Sequence, residues 1–236
     1  GPTGTDWRLH YSLRLPQLSC DFLELTDVHG GETLKRLPVD KGDIVLCDRA
    51  YSNRPGVAQI LARQADVVVR LNSGAFPLED ARGKPVDLVK LVAKLKVMQV
   101  GEWPVWFEHQ GQRHRLRLCV LRKNLVTAAR AQRKAEKTAR NHGQQIRPET
   151  LKLATFVLVL TSLPARWGPA SLILELYRAR WQVVVSSKGR VCRAGESPVE
   201  ERDQKPRSWD GMVAGNQDHG AHRQGLLKRE ARLARL

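Results

Sequence analysis

The stretch that most restricts the fold is Asp43–Tyr51, DIVLCDRAY. Ile44, Val45, Leu46 and Cys47 form an apolar run of strand length with no polar alternation, which predicts a strand buried on both faces. Only an inner strand of a layered α/β sheet has two covered faces. The run stops at Asp48, Arg49 follows, and Tyr51-Ser52-Asn53 with Pro55-Gly56 signal a turn. Val57, Ile60 and Leu61 then recur at helical spacing, which predicts a helix from about Pro55 to Ala65. Open α/β sheets bind ligands beyond the carboxyl ends of their strands, so Asp48 is a candidate for chemistry. An aspartate there also serves simply to end a strand and shape a turn, and both readings stand at this point.

The rest of the chain is built around that strand. Trp7, Leu9, Tyr11, Leu13 and Leu15 alternate with polar residues, as in a strand with one wet face. Cys20–Thr26 supplies a second strand, joined closely enough to pair antiparallel. A short helix over Glu32–Leu37 and an apolar strand over Val67–Leu71 complete a β-β-α-β-α-β order, a mixed sheet with helices packed on it. A helix over Val86–Leu95 and strands over Val97–His109 and Arg113–Leu121 then read as a β-rich insertion. Arg113, Arg115 and Arg117 fall on one face of it, and Trp103, Trp106 and Phe107 suit either a core or a base-stacking platform. An Ala-rich helix over Leu125–His142 places Arg130, Arg133, Lys134, Lys137 and Arg140 in a basic stripe, which is either a solvated face or a phosphate contact. Pro148-Glu149 reads as a turn, Phe156–Leu163 as a buried strand, and Ala170 to about Val185 as a helix with Ile173, Leu176, Tyr177 and Trp181 on one face.

Composition narrows the partner. A formal charge of +16 over 236 residues, spread from end to end, favours a polyanion, with nucleic acid first. Cys20, Cys47, Cys119 and Cys192 are far apart and suit free thiols in a reducing cytoplasm better than disulfides or zinc. His219 and His222 have no neighbouring cysteines to make a metal site. The longest apolar run, around Phe156–Leu160, is too short to span a bilayer, so the expectation is a soluble cytoplasmic protein with no membrane partner.

Taken in order, GPTGTDWRLHYSLRLP, CDFLELTD, GDIVLCDRAYS and LYRARWQ resemble bacterial insertion-sequence transposases of the DDE type, the branch with a Y-x2-R-x3-E-x6-K signature. The resemblance covers roughly residues 1–183. It implies an α/β, RNase H-like mixed sheet with flanking helices and a β-rich insertion, a paired assembly of two copies, transposon-end DNA as partner, and a bacterial, nucleoid-associated location. It further implies DNA strand cleavage and transfer with Mg²⁺ ions about 3.5–4 Å apart, held by three carboxylates. Asp48 matches the second of these acids, as catalytic residue and metal ligand. Tyr177 and Arg180 match the signature Tyr and Arg, which contact DNA phosphate, and an arginine fork suits that task.

Departures from the pattern are as informative. The first acid belongs on a strand ahead of the Gly-Pro turn where this sequence opens, and Asp6 lies beyond that turn. The Glu position is Val184, the Lys position is Val191, and Lys188 is out of step. Residues 186–236 lose all period, with at most an amphipathic helix in LLKREARLARL, which reads as a disordered tail in a slipped frame after about Val183. The expectation is a fragment: 1–72 and 125–185 forming the catalytic domain with its first strand missing, 73–124 the insertion, and 186–236 the tail. A missing strand would leave sheet backbone unpaired and apolar surface exposed. The expected function is that of a transposase fragment without activity, or alternatively a non-catalytic basic DNA-binding protein.

Overall fold

The computed structural model describes residues 7–15, 19–27 and 33–178, together with the backbone of 231–235. Eight strands form one mixed sheet: β1 (Trp7–Leu15), β2 (Ser19–Asp27), β3 (Ile44–Cys47), β4 (Asp66–Arg70), β5 (Val100–His109), β6 (Gln112–Arg122), β7 (Phe156–Thr161) and β8 (Ala231–Arg235). Their order across the sheet is β2-β1-β8-β3-β4-β7-β6-β5. β3 is parallel to β4 and to β8, while every other neighbouring pair is antiparallel. The mixed α/β architecture expected of an RNase H-like domain is present, and the β5–β6 hairpin continues the same sheet through β7.

Both faces of β3 are covered, which explains its unbroken apolar sequence. Val45 and Cys47 join Val67 and Val69 beneath Leu34, Leu37, Phe76 and two residues of α1 (Arg54–Ala62), Val57 and Ile60. Ile44 and Leu46 join Val68, Val157 and Val159 on the other face, beneath α5 (residues 170–178) with its Leu172, Ile173 and Tyr177. Each such aliphatic side chain contributes about 1.5–3 kcal/mol by burial. Three more helices are α2 (Leu88–Val92) within the insertion and, after it, α3 (Leu125–Asn141) and α4 (Pro148–Ala154), with α4 packed between α3, α2 and β7. Phe107 of β5 is fully buried, edge-on to Phe76 at 5.0 Å, and Trp106 is covered by the Arg115 guanidinium at 5.8 Å, so these aromatics serve the core and its rim.

Several expectations are corrected. Pro148-Glu149 is no turn but the first turn of α4, where a proline's missing N–H costs nothing. The helix expected over Glu32–Leu37 is a single 3-10 turn, Leu34–Arg36, capped by Thr33. α1 stops at Ala62 because the chain turns at Gln64, φ 58°. Arg117 shares its strand face with the exposed Arg113 and Arg115, yet it is itself 8% exposed and gripped by Glu102.

The largest correction concerns the tail. Residues 231–235 are a strand, not a helix, lying between β1 and β3, with Leu233 opposite both Leu13 and Leu46. Two strands with unmet N–H and C=O groups face this slot, and satisfying them outweighs a helix propensity of a few tenths of a kcal/mol per residue. The strand position expected to stand empty is therefore filled. The exposed apolar surface does occur, at Trp7, Leu9, Leu23 and Leu25 on β1 and β2. Residues 186–230 of the tail, with Cys192, His219 and His222, lie outside the described residues.

Candidate nucleic-acid interface

Asp48 follows the last residue of β3 and caps the 3-10 turn Arg49–Tyr51, its Oδ1 accepting from the Arg49 N–H at 2.6 Å. Ser52 and Asn53 then lock the exit from the sheet. The Ser52 hydroxyl accepts from the Asn72 N–H at 3.1 Å, joining the loop after β3 to the loop after β4. Asn53 Oδ1 accepts from the Gly56 N–H at 2.9 Å and starts α1. Gly56 is needed here, since a Cβ would stand 2.9 Å from that oxygen and 3.2 Å from Leu34 Cβ. The Arg49 guanidinium donates to Asn72 Oδ1 at 3.3 Å, so it lies over the ends of β3 and β4.

The donors at this end do not fit a pair of divalent ions. Hard cations of this kind need several oxygen ligands, and no group of three metal-binding side chains occurs among the described residues. Asp43 and Asp66 lie at the opposite end of β3 and β4, bonded to the Asp40 N–H and the Ser162 hydroxyl respectively. Asp43 is about 16 Å along the strand from Asp48, too far to share an ion. On β8 the position level with Asp48, one beyond the Ala234–Cys47 pair, is Arg235. The surroundings of Asp48 are thus cationic, with burial and then Arg70 lowering the Arg49 pKa from its usual value while Asp48 raises it.

That positive end continues into a cleft of about 650 Å³ bordered by Arg49, Arg70, Lys123, Lys134, His142 and Arg147, with no acidic residue in its lining among the described residues. Lys134 belongs to α3, so the cleft connects the strand end carrying Asp48 with the helical stripe. Asn124 starts α3 by accepting from the Thr127 N–H at 2.8 Å. Arg130, Arg133, Lys134, Lys137 and Arg140 are all exposed along it, while Ala131, Ala135 and Ala139 turn inward to the cleft. Of these cations only Lys134 lines the cleft; Arg130, Arg133, Lys137 and Arg140 form an outer face.

Tyr177 is placed in the second core cluster and is 4% exposed. Arg180, with Val184, Lys188 and Val191, lies outside the described residues, as does Asp6. Sequence reasoning did not single out Arg70, Lys123 or Arg147 as site residues. Arg70 ends and Lys123 follows an apolar strand, while Arg147 precedes α4, but the cleft that gathers them depends on how α3 and α4 fold back over the sheet. No helix among the described residues is long and apolar enough to cross a membrane.

Comparison with known proteins meets this geometry. Over 196 residues the chain is 29% identical to the transposase for insertion sequence element IS421 of Escherichia coli, an alignment covering 80% of this chain and 52% of that protein. The same values hold for InsL of insertion sequence elements IS186A and IS186B in Escherichia coli strain K12. The chain thus spans about half the length of the relatives it matches. No solved structure matches it. Residues 25–183, from β2 through the described part of α5, match the family model for the transposase DDE domain. By that match, which takes in Asp48, the basic helix and Tyr177, the chain belongs to the transposase DDE domain family.

Proposed function

We propose that this chain binds DNA as part of an insertion-sequence transposase, with transposon ends as its natural substrate, and that on its own it does not cut DNA. The observation that carries the reading is the set of cations from Arg49, Arg70, Lys123 and Lys134 in the cleft, whose described lining holds no acidic residue, to the exposed Arg130, Arg133, Lys137 and Arg140 of α3, with Glu136 the one acid on that helix. Phosphate contacts by Arg130, Arg133, Lys134, Lys137 and Arg140 would position a duplex without reading its sequence. Tyr177 and Arg180 belong to the same proposal through the signature they match, with Arg180 holding phosphate and Tyr177 setting the helix that carries it. Among the described residues at this end of the sheet, Asp48 is the carboxylate that would take the family's divalent metal, Mg²⁺ in our reading. A single carboxylate among guanidiniums is a poor site for two divalent ions, which need several oxygen ligands. A non-catalytic DNA-binding role is favoured by the same cationic surroundings. Pairing of two copies and residence on the bacterial chromosome complete the reading.

A supercoiled plasmid incubated with the chain and Mg²⁺ tests it. The expected result is retention of the plasmid in a gel shift with no open circle above that produced by Asp48→Asn. Nicking that needs Mg²⁺ and disappears in Asp48→Asn would establish an active site and reject the inactive reading. Failure to retain the plasmid would reject DNA binding.

A further inference from the structure

We infer that the cleft between α3–α4 and the sheet end is a seat for the sugar–phosphate backbone of an unpaired DNA strand, separate from the duplex-binding outer face of α3. The inference rests on the DNA-binding reading above and adds the form of nucleic acid that this surface takes. Three observations support it.

Arg49, Arg70 and Lys123 stand on the sheet side of the cleft, with Lys134 and Arg147 across from them. Asp48 beside Arg49 is the nearest carboxylate and is not part of the described lining; burial first and then Arg70 lower the proton affinity of both Arg49 and Lys123, so these cations repel one another. An anionic group between them would remove that repulsion. Lys123 is also 7% exposed, an uncommon place for an ammonium, and one of its three donors goes to the Ala154 carbonyl at 2.6 Å.

The floor is of a different kind. Leu71, Phe156 and Leu158, nearly buried members of the core, and the half-buried Leu153 reach it, so apolar carbon with one aromatic ring lies beside the cations, a surface on which bases can pack next to bound phosphates.

Size decides between strand and duplex. A space of about 650 Å³ lies in the range of small-ligand sites. B-DNA, whose major groove alone is about 12 Å wide, does not enter such a space, whereas an unpaired strand does.

The test compares a short oligothymidine with a blunt mixed-sequence duplex by fluorescence anisotropy, using the full chain. The variants are Lys123→Met and Arg147→Gln, the second at an exposed position where folding is not at stake. Each is expected to weaken oligothymidine binding about fivefold or more and duplex binding by less than about twofold, with a strand salt slope smaller by about 1. Arg133→Ala with Lys137→Ala is expected to do the reverse. Equal losses for both DNA forms, or an unchanged strand affinity in Arg147→Gln, would overturn the inference. Full displacement of the strand by millimolar inorganic phosphate would also overturn it, by marking a site for free phosphate. Wild-type binding to duplex but not to strand would reject the cleft and leave the transposase reading standing; binding to neither would reject both.

Discussion

The Asp48 carboxylate caps the backbone N–H of Arg49 at 2.6 Å, so the residue aligned with a metal-binding acid also shapes the chain where β3 ends. The two roles separate by substitution. Asparagine caps as well as aspartate, so Asp48→Asn should leave stability within about 0.5 kcal/mol, while Asp48→Ala should cost about 1 kcal/mol in urea unfolding. Asp48→Asn also removes a negative charge beside Arg49 and Arg70, and duplex affinity should rise. A fall in affinity would show the carboxylate itself taking part in binding.

Arg117 of β6 holds Glu102 of β5 through two hydrogen bonds, 2.7 and 2.8 Å, and also donates to the carbonyls of Leu163 and Gly168. It ties the insertion hairpin to the segment that leads into α5. Glu102→Ala would leave a guanidinium buried without its carboxylate, at a cost of about 2–4 kcal/mol. Urea midpoints at neutral pH check this, with Glu102→Gln expected between the variant and the wild type.

Gly101 of β5 has no room for a methyl group. A Cβ there would stand 2.4 Å from the Trp103 ring and 2.9 Å from Leu95 Cδ2. Gly101→Ala should therefore destabilise by about 1–3 kcal/mol and shift the tryptophan fluorescence as Trp103 moves. An unchanged melt and spectrum would mean that the ring has another place to go.

These sites illustrate what the sequence alone conveyed. The β3 strand, its Asp48 terminus, the hairpin β5–β6 and α3 were legible because each follows a local rule: an unbroken apolar run, alternation, or an alanine-rich helical period. The burial of Arg117 was not legible because alternation gives the side of the strand and not what covers that side, here the Leu163–Gly168 segment. Residues 231–235 were misread because a slot between β1 and β3, distant in sequence, dictates their conformation. The cleft was not legible for the same reason: Arg70, Lys123 and Arg147 come together only through the packing of α3 and α4 over the sheet. For α4 the proline misled, since Pro148 suits a turn and a helix start equally well.

Lys123 gives the chain a pH signature. Burial, reinforced by Arg70, lowers its pKa from 10.5 to about 8. Between about pH 8 and the ordinary lysine value the unfolded chain binds more protons than the folded one, so this group makes stability rise with pH across that window. Below pH 8 it is charged in both states and the desolvation cost is fully present. Strand binding in the cleft should move the opposite way, weakening as pH passes 8 and the charge is lost. Lys123→Met should abolish both trends, read by urea unfolding and by anisotropy from pH 7 to pH 10.

The most direct measurement is the affinity of the full chain for duplex DNA as a function of salt. The account predicts that log K falls linearly and steeply with log salt, and that Arg130→Ala, Arg133→Ala and Lys137→Ala each reduce the slope by about 1. A weak slope, or a slope that these substitutions leave unchanged, would contradict it.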